Sequence, residues 1–593
     1  MVALRFRASI ARGLAPAVLA ALLGLSCAPR RPTTAPLQVA EVEPDVAPGV
    51  RRIGESWVRR IGPGTGLLLG RFAGEAYPLG QAIGRLCRAD IEAQELHLER
   101  LFGAMNPSQV IRWAFRNLFS FRLRKMDRTI APDLLTTLAG VADGYEPHTP
   151  EDSWTAYRRL LGMHAIHEVS QSFVDAPYLQ SFCTGFLATG SATRNGATIL
   201  ARNFDFEGGS MLDRDKLVSV VAPTGQLAYL TVGFPGMVGV VSGFNSAGIG
   251  AAIQSIAGGE TADVGEPMTL VLVDLLRNES TFEGAVERIR RANVFVSDMI
   301  LLGDGNTGRI AVLEKTPTAF AIREMGSKGW IGISNEPQDP TVRSRGLALP
   351  MGSTSRSRES RLTSLLTSTP AGTLDVPRAV SILRDHRSAA DVDLGPGNRN
   401  AINALISAHS VVFDLTNRRA WVAVAPNTLG AYVPIDLATV LSDRGGAFLV
   451  PSTPIPADPL LTSGGYDRYR AARRSLQKAR ALGMRPDTVE KLGALPLFER
   501  AHALSPDFVE ATARLGEALA RSGERERALM LLNSALAHEP APEPLRKGVE
   551  ALRDALQGNR PLPPAGILPA QLEPDELIEL SDARNTPSSL LPR

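Results

Sequence analysis

The sequence predicts an α+β protein: a layered sheet-and-helix domain, preceded by a helical region and followed by a small all-helical repeat. Three observations carry this. Apolar residues at three-to-four spacing give way at Cys183 to period-two alternation. From there, hairpins on either side of a pair of helices describe sheets layered with helices, a domain of about 270 residues. Beyond residue 491 a 34-residue period appears.

The chain has 593 residues, 44% hydrophobic and 21% charged, which is ordinary for globular material with room for several domains. Lys plus Arg number 64 against 61 Asp plus Glu, a net charge of +3, so bulk charge gives no reason to expect a nucleic-acid partner.

Residues 1–27 carry Arg5, Arg7 and Arg12, then an apolar run from Leu14 to Leu25, then Ser26 and Cys27. That is the pattern of an export signal, and the run is too short to span a membrane comfortably before Pro29, Arg30, Arg31 and Pro32. The Gly24-Leu25-Ser26-Cys27 end resembles a bacterial lipobox, with Gly24 where Leu is usual. It implies lipidation of Cys27 and a membrane anchor in the periplasm or cell envelope; a non-lipidated secretory signal is the alternative. The three cysteines, Cys27, Cys87 and Cys183, are too few for a disulfide scaffold. Cys87 reads as a small buried hydrophobe.

Residues 28–50, rich in Pro, Ala, Val and Thr, read as a linker. Residues 51–182 read as a helical region, with amphipathic stretches at Ala82 to Leu101, Pro107 to Leu123, Pro132 to Ala142 and Ser153 to Val169. The layered sheet-and-helix domain is placed at 183–450. It opens with a strand from Cys183 to Thr189, the turn signal Asn195-Gly196 and a returning strand from Ala197. Two further hairpins are expected at 217–232 and 238–255, then helices at 268–277 and 281–292. Strands resume between 294 and 334; helices at 360–367 and 376–386 precede a last hairpin, 410–425. Residues 451–490 read as linker and helix. In 491–557, Ala494, Phe498, Ala501 and Pro506 recur as Ala528, Leu532, Ala535 and Pro540, which matches the tetratricopeptide (TPR) period. Such a module offers a groove to a peptide partner or packs on its own chain. The Pro-rich tail, 558–593, is expected to be disordered.

The opening strand, its hairpin and the Arg202-Asn203-Phe204-Asp205 sequence resemble the N-terminal nucleophile hydrolases of the choloylglycine hydrolase type, and within them the penicillin acyltransferase group (acyl-coenzyme A:6-aminopenicillanic acid acyltransferase). The resemblance runs over about residues 130–435 and implies a four-layer αββα fold. It implies further that Cys183 is the nucleophile, exposed as a new N-terminus when the chain cuts its own Phe182-Cys183 bond, that residues 51–182 are a helical pro-segment, and that Arg202 and Asp205 lie beside Cys183. Asn245, in Gly-Phe-Asn-Ser-Ala-Gly, and Asn335, in Ile-Ser-Asn-Glu-Pro, match turns whose asparagines help form the oxyanion hole. Arg358, in Ser-Arg-Glu-Ser-Arg, completes the set.

The chemistry wants these residue types. A thiol titrates near 8.5 and an α-amino group at about 7.7–8.0, so a freed Cys183 carries its own general base. Amide attack would build an oxyanion, then a thioester that water or an acyl acceptor resolves. The substrate implied is a small-molecule amide, split at a non-peptide carbon–nitrogen bond, and the resemblance requires no metal or organic cofactor. The contrasting readings are a TPR-based interaction protein on an inactive scaffold, and a phospholipase-B-like ester hydrolase.

Other signals are weaker. His164, His167 and Glu168 lack metal-ligand spacing and suit a packed helix. His409 could serve a Cys/His pair with Cys183. The literal G-x-G-x-x-G of residues 303–308 has no following helix and reads as a hairpin turn, and Gly62, Gly64 and Gly66 read as a flexible turn.

Overall fold

The computed structural model describes residues 31–32, 41–43, 49–62, 66–145, 155–165, 183–256, 259–345, 354–444, 446, 453–482 and 493–585. The expected signal peptide with Cys27, the cut-site residue Phe182, His167, Glu168 and most of the 28–50 linker lie outside the described residues.

The first elements among the described residues are strands. β1 (Arg51–Ile53), β2 (Ser56–Ile61) and β3 (Leu67–Gly74) precede helices α1 (Ala76–Leu86), α2 (Arg88–Met105), α3 (Gln109–Leu123), α4 (Pro132–Tyr145) and α5 (Ala156–His164). β4 (Thr184–Gly190) and β5 (Gly196–Asp205) form the opening hairpin, followed by α6 (Ser210–Arg214), β6 (Leu217–Pro223), β7 (Tyr229–Gly233), β8 (Ser242–Asn245) and β9 (Ile249–Ser255). Next come α7 (Met268–Asn278), α8 (Phe282–Arg291), β10 (Asp298–Asp304), β11 (Ile310–Lys315), β12 (Phe320–Glu324) and β13 (Trp330–Ile333). The short α9 (Pro340–Arg343), α10 (Thr354–Ser368) and α11 (Val376–Leu383) lead into β14 (Ser407–Asp414), β15 (Arg419–Ala423) and β16 (Tyr432–Asp436). After α12 (Leu437–Ser442) and α13 (Pro459–Thr462) the chain is helical: α14 (Gly465–Leu482), α15 (Ala494–Leu504), α16 (Val509–Arg521), α17 (Arg525–Ala537), α18 (Glu543–Gln557) and α19 (Pro574–Asn585).

Two sheets result, a ten-stranded one in the order β1-β2-β3-β6-β7-β8-β9-β10-β11-β12 and a six-stranded one in the order β13-β4-β5-β14-β15-β16. The period of two sorts their side chains into layers. Leu187, Leu200, Val411 and Phe413 of the smaller sheet meet Val218, Leu230, Phe244 and Leu301 of the larger in one apolar core. Their neighbours Phe186, Ile199 and Val412 face outward onto Leu362, Leu366 and Leu383 of α10 and α11. On the far face of the larger sheet, Val221, Tyr229, Ile253 and Ile300 pack under Leu79, Leu138, Leu160 and Leu272 from α1, α4, α5 and α7. The architecture is therefore αββα, as expected.

The opening hairpin keeps its signal but not its tight turn. Asn195 and Gly196 both take positive φ, 59° and 71°, yet the ladder closes at Gly190 and Gly196 with a register shift, so the loop is longer than two residues. The strand expected at 238–243 is displaced to β8, and β16 was not expected.

The reading of 51–182 as wholly helical is corrected. Gly54 takes φ of 55° between Ile53 and Ser56, which pair. β3 then runs parallel to β6, Leu68–Gly74 beside 217–223. Leu67, Leu68, Leu69 and Phe72 are buried, and a short continuous apolar run suits an interior strand. The segment is thus part of the main sheet. Its helices are fixed to each other as well: a Cβ on Gly80 or Gly84 of α1 would lie 2.1 Å from Thr137 O or 2.2 Å from Val141 O of α4, so the two backbones touch.

The reading of 558–593 as disordered is corrected up to residue 585, because Leu568, Glu573 and Glu576 are buried against the repeat and α19 follows; 586–593 lie outside the described residues. Within 451–490, α14 joins the repeat stack: Tyr469, Ala472 and Leu476 share a core with Phe498, Leu515, Leu532 and Leu552.

Candidate active site

Cys183 lies at the head of β4, one step beyond the pair Thr184–Asn203 that joins β4 to β5. Its thiol side is apolar, with Phe204, Leu212, Val241 and Ala408 around it, and the residue is fully buried. Two arginines hold it from opposite sides. Arg202, reached from β5, donates from Nη2 to Cys183 Sγ at 3.2 Å. Its Nη1 donates to Val241 O at 2.6 Å and Ser242 Oγ at 2.8 Å, which anchors the guanidinium to the other sheet. Arg358, on α10, donates from Nη1 to Cys183 O at 2.7 Å and to Thr184 Oγ1 at 2.8 Å, and from Nη2 to Asn335 Oδ1 at 3.0 Å. Burial lowers Arg358 to about 10, so it stays protonated at neutral pH.

Asp205 ends β5 opposite Ser407, whose hydroxyl donates to Oδ1 at 2.5 Å. Oδ2 is buried with no hydrogen-bond partner among the described residues. Burial pushes this carboxyl up to about 6, although the Ser407 bond and the charges of Arg358, Arg399 and Arg202 pull the other way. Asn335 follows β13; its Nδ2 donates to Ser255 O at 3.0 Å, and its Oδ1 takes the Arg358 bond. Five of the expected residues, Cys183, Arg202, Asp205, Asn335 and Arg358, therefore come together.

Asn245 does not join them. Both hydrogens of its amide go to carbonyls at the end of α7, Leu276 O at 2.9 Å and Glu279 O at 2.8 Å, while its Oδ1 accepts from Ile249 N at 2.9 Å. An amide has two hydrogens, so the side chain has none left for an oxyanion and instead closes the β8–β9 turn onto the end of α7.

His409 Nε2 lies 3.0 Å from Ser242 Oγ. It reaches the thiol's surroundings through Ser242 and Arg202, and burial beside Arg202 and Lys216 holds it well below the usual imidazole range and neutral. His164 is packed: Nδ1 faces Leu160 O at 2.7 Å and Nε2 accepts from Val238 N at 2.8 Å. Residues 303–308 form the β10–β11 turn, with Asp304 accepting from Asn306 N and Thr307 Oγ1.

The sequence left several site residues unread. Ser242 and Ser407 are single hydroxyls in strands, and Ser334, which donates to Cys183 O at 3.4 Å, directly follows β13; no local signal marks any of them. Gln254 Nε2 donates to Ser334 O at 2.7 Å, while its Oε1 is buried without a partner among the described residues. Glu207 forms a buried pair with Arg399 at 2.7 Å, two residues beyond Asp205. Arg399 comes from a Gly/Asn-rich loop whose only sequence cue was its turn chemistry.

With this geometry in hand, comparison with known proteins is informative. Residues 191–428 match the sequence model of the acyl-coenzyme A:6-aminopenicillanic acid acyl-transferase family. The span includes Arg202, Asp205, Asn245, Asn335 and Arg358 and begins after Cys183. Residues 492–552 match a tetratricopeptide repeat. An uncharacterized protein of Archaeoglobus fulgidus is 28% identical over 148 residues, 24% of this chain and 24% of that protein. The chain thus spans about a quarter of that relative's length. Among solved structures, the Caenorhabditis elegans ortholog of N-acylethanolamine-hydrolyzing acid amidase is 15% identical, covering 40% of this chain and 93% of its own, with a TM-score of 0.31. Two variants of the conjugated bile acid hydrolase of Clostridium perfringens are 15% and 16% identical, cover 44% and 47% of this chain and 94% and 100% of theirs, and have TM-scores of 0.30 and 0.31.

Proposed function

We propose that the acyl-transferase-family domain of this chain is a self-processing cysteine amidohydrolase or acyltransferase. Cys183 is its nucleophile, and it acts on a small-molecule amide at a non-peptide carbon–nitrogen bond. The observation that carries the reading is the pair of buried arginines on one cysteine, Arg202 on its sulfur and Arg358 on its carbonyl. The Arg202 guanidinium fixes the sulfur in place, and a fixed donor on the carbonyl holds the residue still after its N-terminal bond is cut.

In the self-cut, the Cys183 sulfur bonds to the Phe182 carbonyl carbon as the carbon–nitrogen bond breaks and the nitrogen takes up a proton. Water then hydrolyses the thioester, leaving a Phe182 carboxylate and a Cys183 with both thiol and amine. In turnover the amine receives the thiol proton, sulfur attacks the amide carbonyl, and the leaving amine takes the proton away. Asp205 Oδ2, buried and unbonded among the described residues, suits an α-ammonium group. One hydrogen of Asn335 Nδ2 is given to Ser255 O, and the other serves the oxyanion. Export through residues 1–27 and anchoring at Cys27 belong to the same reading and rest on the sequence alone.

Trapping the acyl group tests the reading. When the processed protein is offered N-acyl amino acids, bile-salt-like amides, β-lactams and N-acyl ethanolamines, one class should leave its acyl mass on the peptide starting at Cys183, removable by hydroxylamine. A substrate that is turned over with no adduct on Cys183 at any time would sink the thioester. The two asparagines should separate in the same assay. Asn335→Ala is expected to lower kcat about 10²-fold. Asn245→Ala strands the carbonyls of Leu276 in α7 and Glu279 just after it, and should lower the melting temperature, at roughly 1–3 kcal/mol, with kcat kept. Equal losses of kcat from the two variants would contradict the assignment.

A further inference from the structure

Glu510, Arg514, Glu517 and Arg521 of α16 follow spacings that put them on one helical face. Charged residues are rarely buried unless something pairs with them, yet Glu510 is 1%, Arg514 4% and Glu517 0% exposed. What covers the face is the chain's own C-terminal segment. Arg521 Nη2 donates to Pro563 O at 3.1 Å, Arg514 Nη2 to Leu568 O at 2.8 Å, and Gln571 N donates to Glu510 Oε1 at 3.2 Å. The segment therefore runs antiparallel to α16.

Helices on both sides join in. From α14, Arg473 Nη2 donates to Gln571 O at 2.8 Å and to Glu576 Oε2 at 2.7 Å, Gln477 Nε2 donates to Glu576 O at 3.1 Å, and Arg470 pairs with Glu573. On α18, Leu568 fills the space over Gly548, where a Cβ would lie 2.8 Å from Leu568 Cδ2. Side chains clasping main-chain carbonyls, with one apolar anchor, are how a groove takes an extended peptide.

Beyond the groove the segment reaches the active site. α19 packs on α2, where Arg100 pairs with Asp582. Asp575 Oδ2 accepts from Ser210 N, the start of α6, at 2.9 Å. His97 Nε2 lies 2.7 Å from Gly208 O, and a Cβ on Gly209 would be 2.6 Å from His97 Nε2 and 3.0 Å from Asp575 Oδ1. α2, α19 and the 207–214 lip thus meet at one point. That lip carries Leu212, packed in the same cluster as Cys183, which is fully buried.

We propose that residues 560–585 are a strap whose seating in the repeat groove holds the 207–214 lip closed over Cys183. The groove is then a control site: an extended peptide with a Leu anchor and two glutamates spaced like Glu573 and Glu576 displaces the strap and exposes the thiol. The proposal draws on the reading of Cys183 as nucleophile only for its consequence, since its test needs no turnover.

The test measures alkylation of Cys183 by iodoacetamide in the full chain, mapped by peptide mass, with buried Cys87 as the internal reference. Hydrogen exchange of 560–585 and 207–214 is followed in parallel. In Glu573→Gln/Glu576→Gln the strap amides should exchange at least about tenfold faster, and Cys183 should be alkylated faster by a similar factor with Cys87 unchanged. A synthetic copy of residues 560–585 added to the wild-type chain should do the same. A strap that loosens while Cys183 keeps its wild-type rate overturns the proposal, as does a strap whose exchange is unmoved by both treatments. Should Cys87 rise together with Cys183, the fold has been lost, and Asp575→Ala decides. That change touches the junction alone and should speed alkylation with 560–573 still protected, whereas a wild-type rate overturns the coupling.

Discussion

Cys183→Ala is expected to give a chain of a single mass with no measurable amide turnover. The wild type should give two fragments, the second beginning at Cys183. The loss should be on the order of 10⁵-fold or more, because removing a covalent nucleophile leaves only binding and oxyanion stabilisation. Intact-mass measurement and turnover on the same preparations check it. A wild-type protein that stays whole, folded and active would remove the amine from the mechanism, since an amide nitrogen has no basic lone pair. The two wild-type fragments should stay together without denaturant. β3 is paired with β6 along Leu68–Gly74 inside the larger sheet, and the α1–α5 helices cover that sheet's outer face. Separating them would uncover that apolar core, so β1–β3 and α1–α5 are part of the fold whether or not the chain is cut.

That point marks where the sequence was legible and where it was not. The hairpin from Cys183 could be read because period-two alternation and Asn195-Gly196 are local signals, and the 34-residue period because repetition is visible in one chain. β1–β3 were missed for the opposite reason. Leu67–Leu69 form a short apolar run that reads as helix or strand equally well, and what makes it a strand is β6, about 150 residues further on. Asn245 shows the same limit at the site. Its turn was found, but the carbonyls of Leu276 and Glu279 that take its amide belong to a helix nothing in the motif mentions. Ser407 and Ser242 matter only because folding puts them beside Asp205 and Arg202. The tail was misread because Pro-rich composition predicts a segment without its own core, and residues 560–573 use the repeat's core instead.

Asp205→Asn should lose turnover by roughly 10³-fold and, in the uncut chain, gain stability at neutral pH. The two effects have one cause. Burial raises the Asp205 carboxyl from 3.8 to about 6, so between those values the folded chain holds a proton that the unfolded chain has released. By linkage, stability falls as pH rises through that window and is lowest above about 6, where the buried carboxylate is charged. Asparagine keeps the shape without the charge and removes a cost on the order of 3 kcal/mol. In the uncut Cys183→Ala background, a melting temperature raised by Asp205→Asn at pH 7.5, with the difference gone below pH 4, checks the sign; an equal or lower value at pH 7.5 would contradict it. The shift of the acyl group from nitrogen to sulfur frees an α-ammonium that the carboxylate must be ionised to hold, so the self-cut of the precursor should fail as pH falls through about 6. After the cut, the ammonium at Cys183 stabilises the charged form and should move the acid limb of turnover to lower pH. A limb at one pH for both steps would mean that Asp205 never faces the new N-terminus. A limb that moves would identify the orphaned Oδ2 as a place kept for a charge the chain makes by cutting itself.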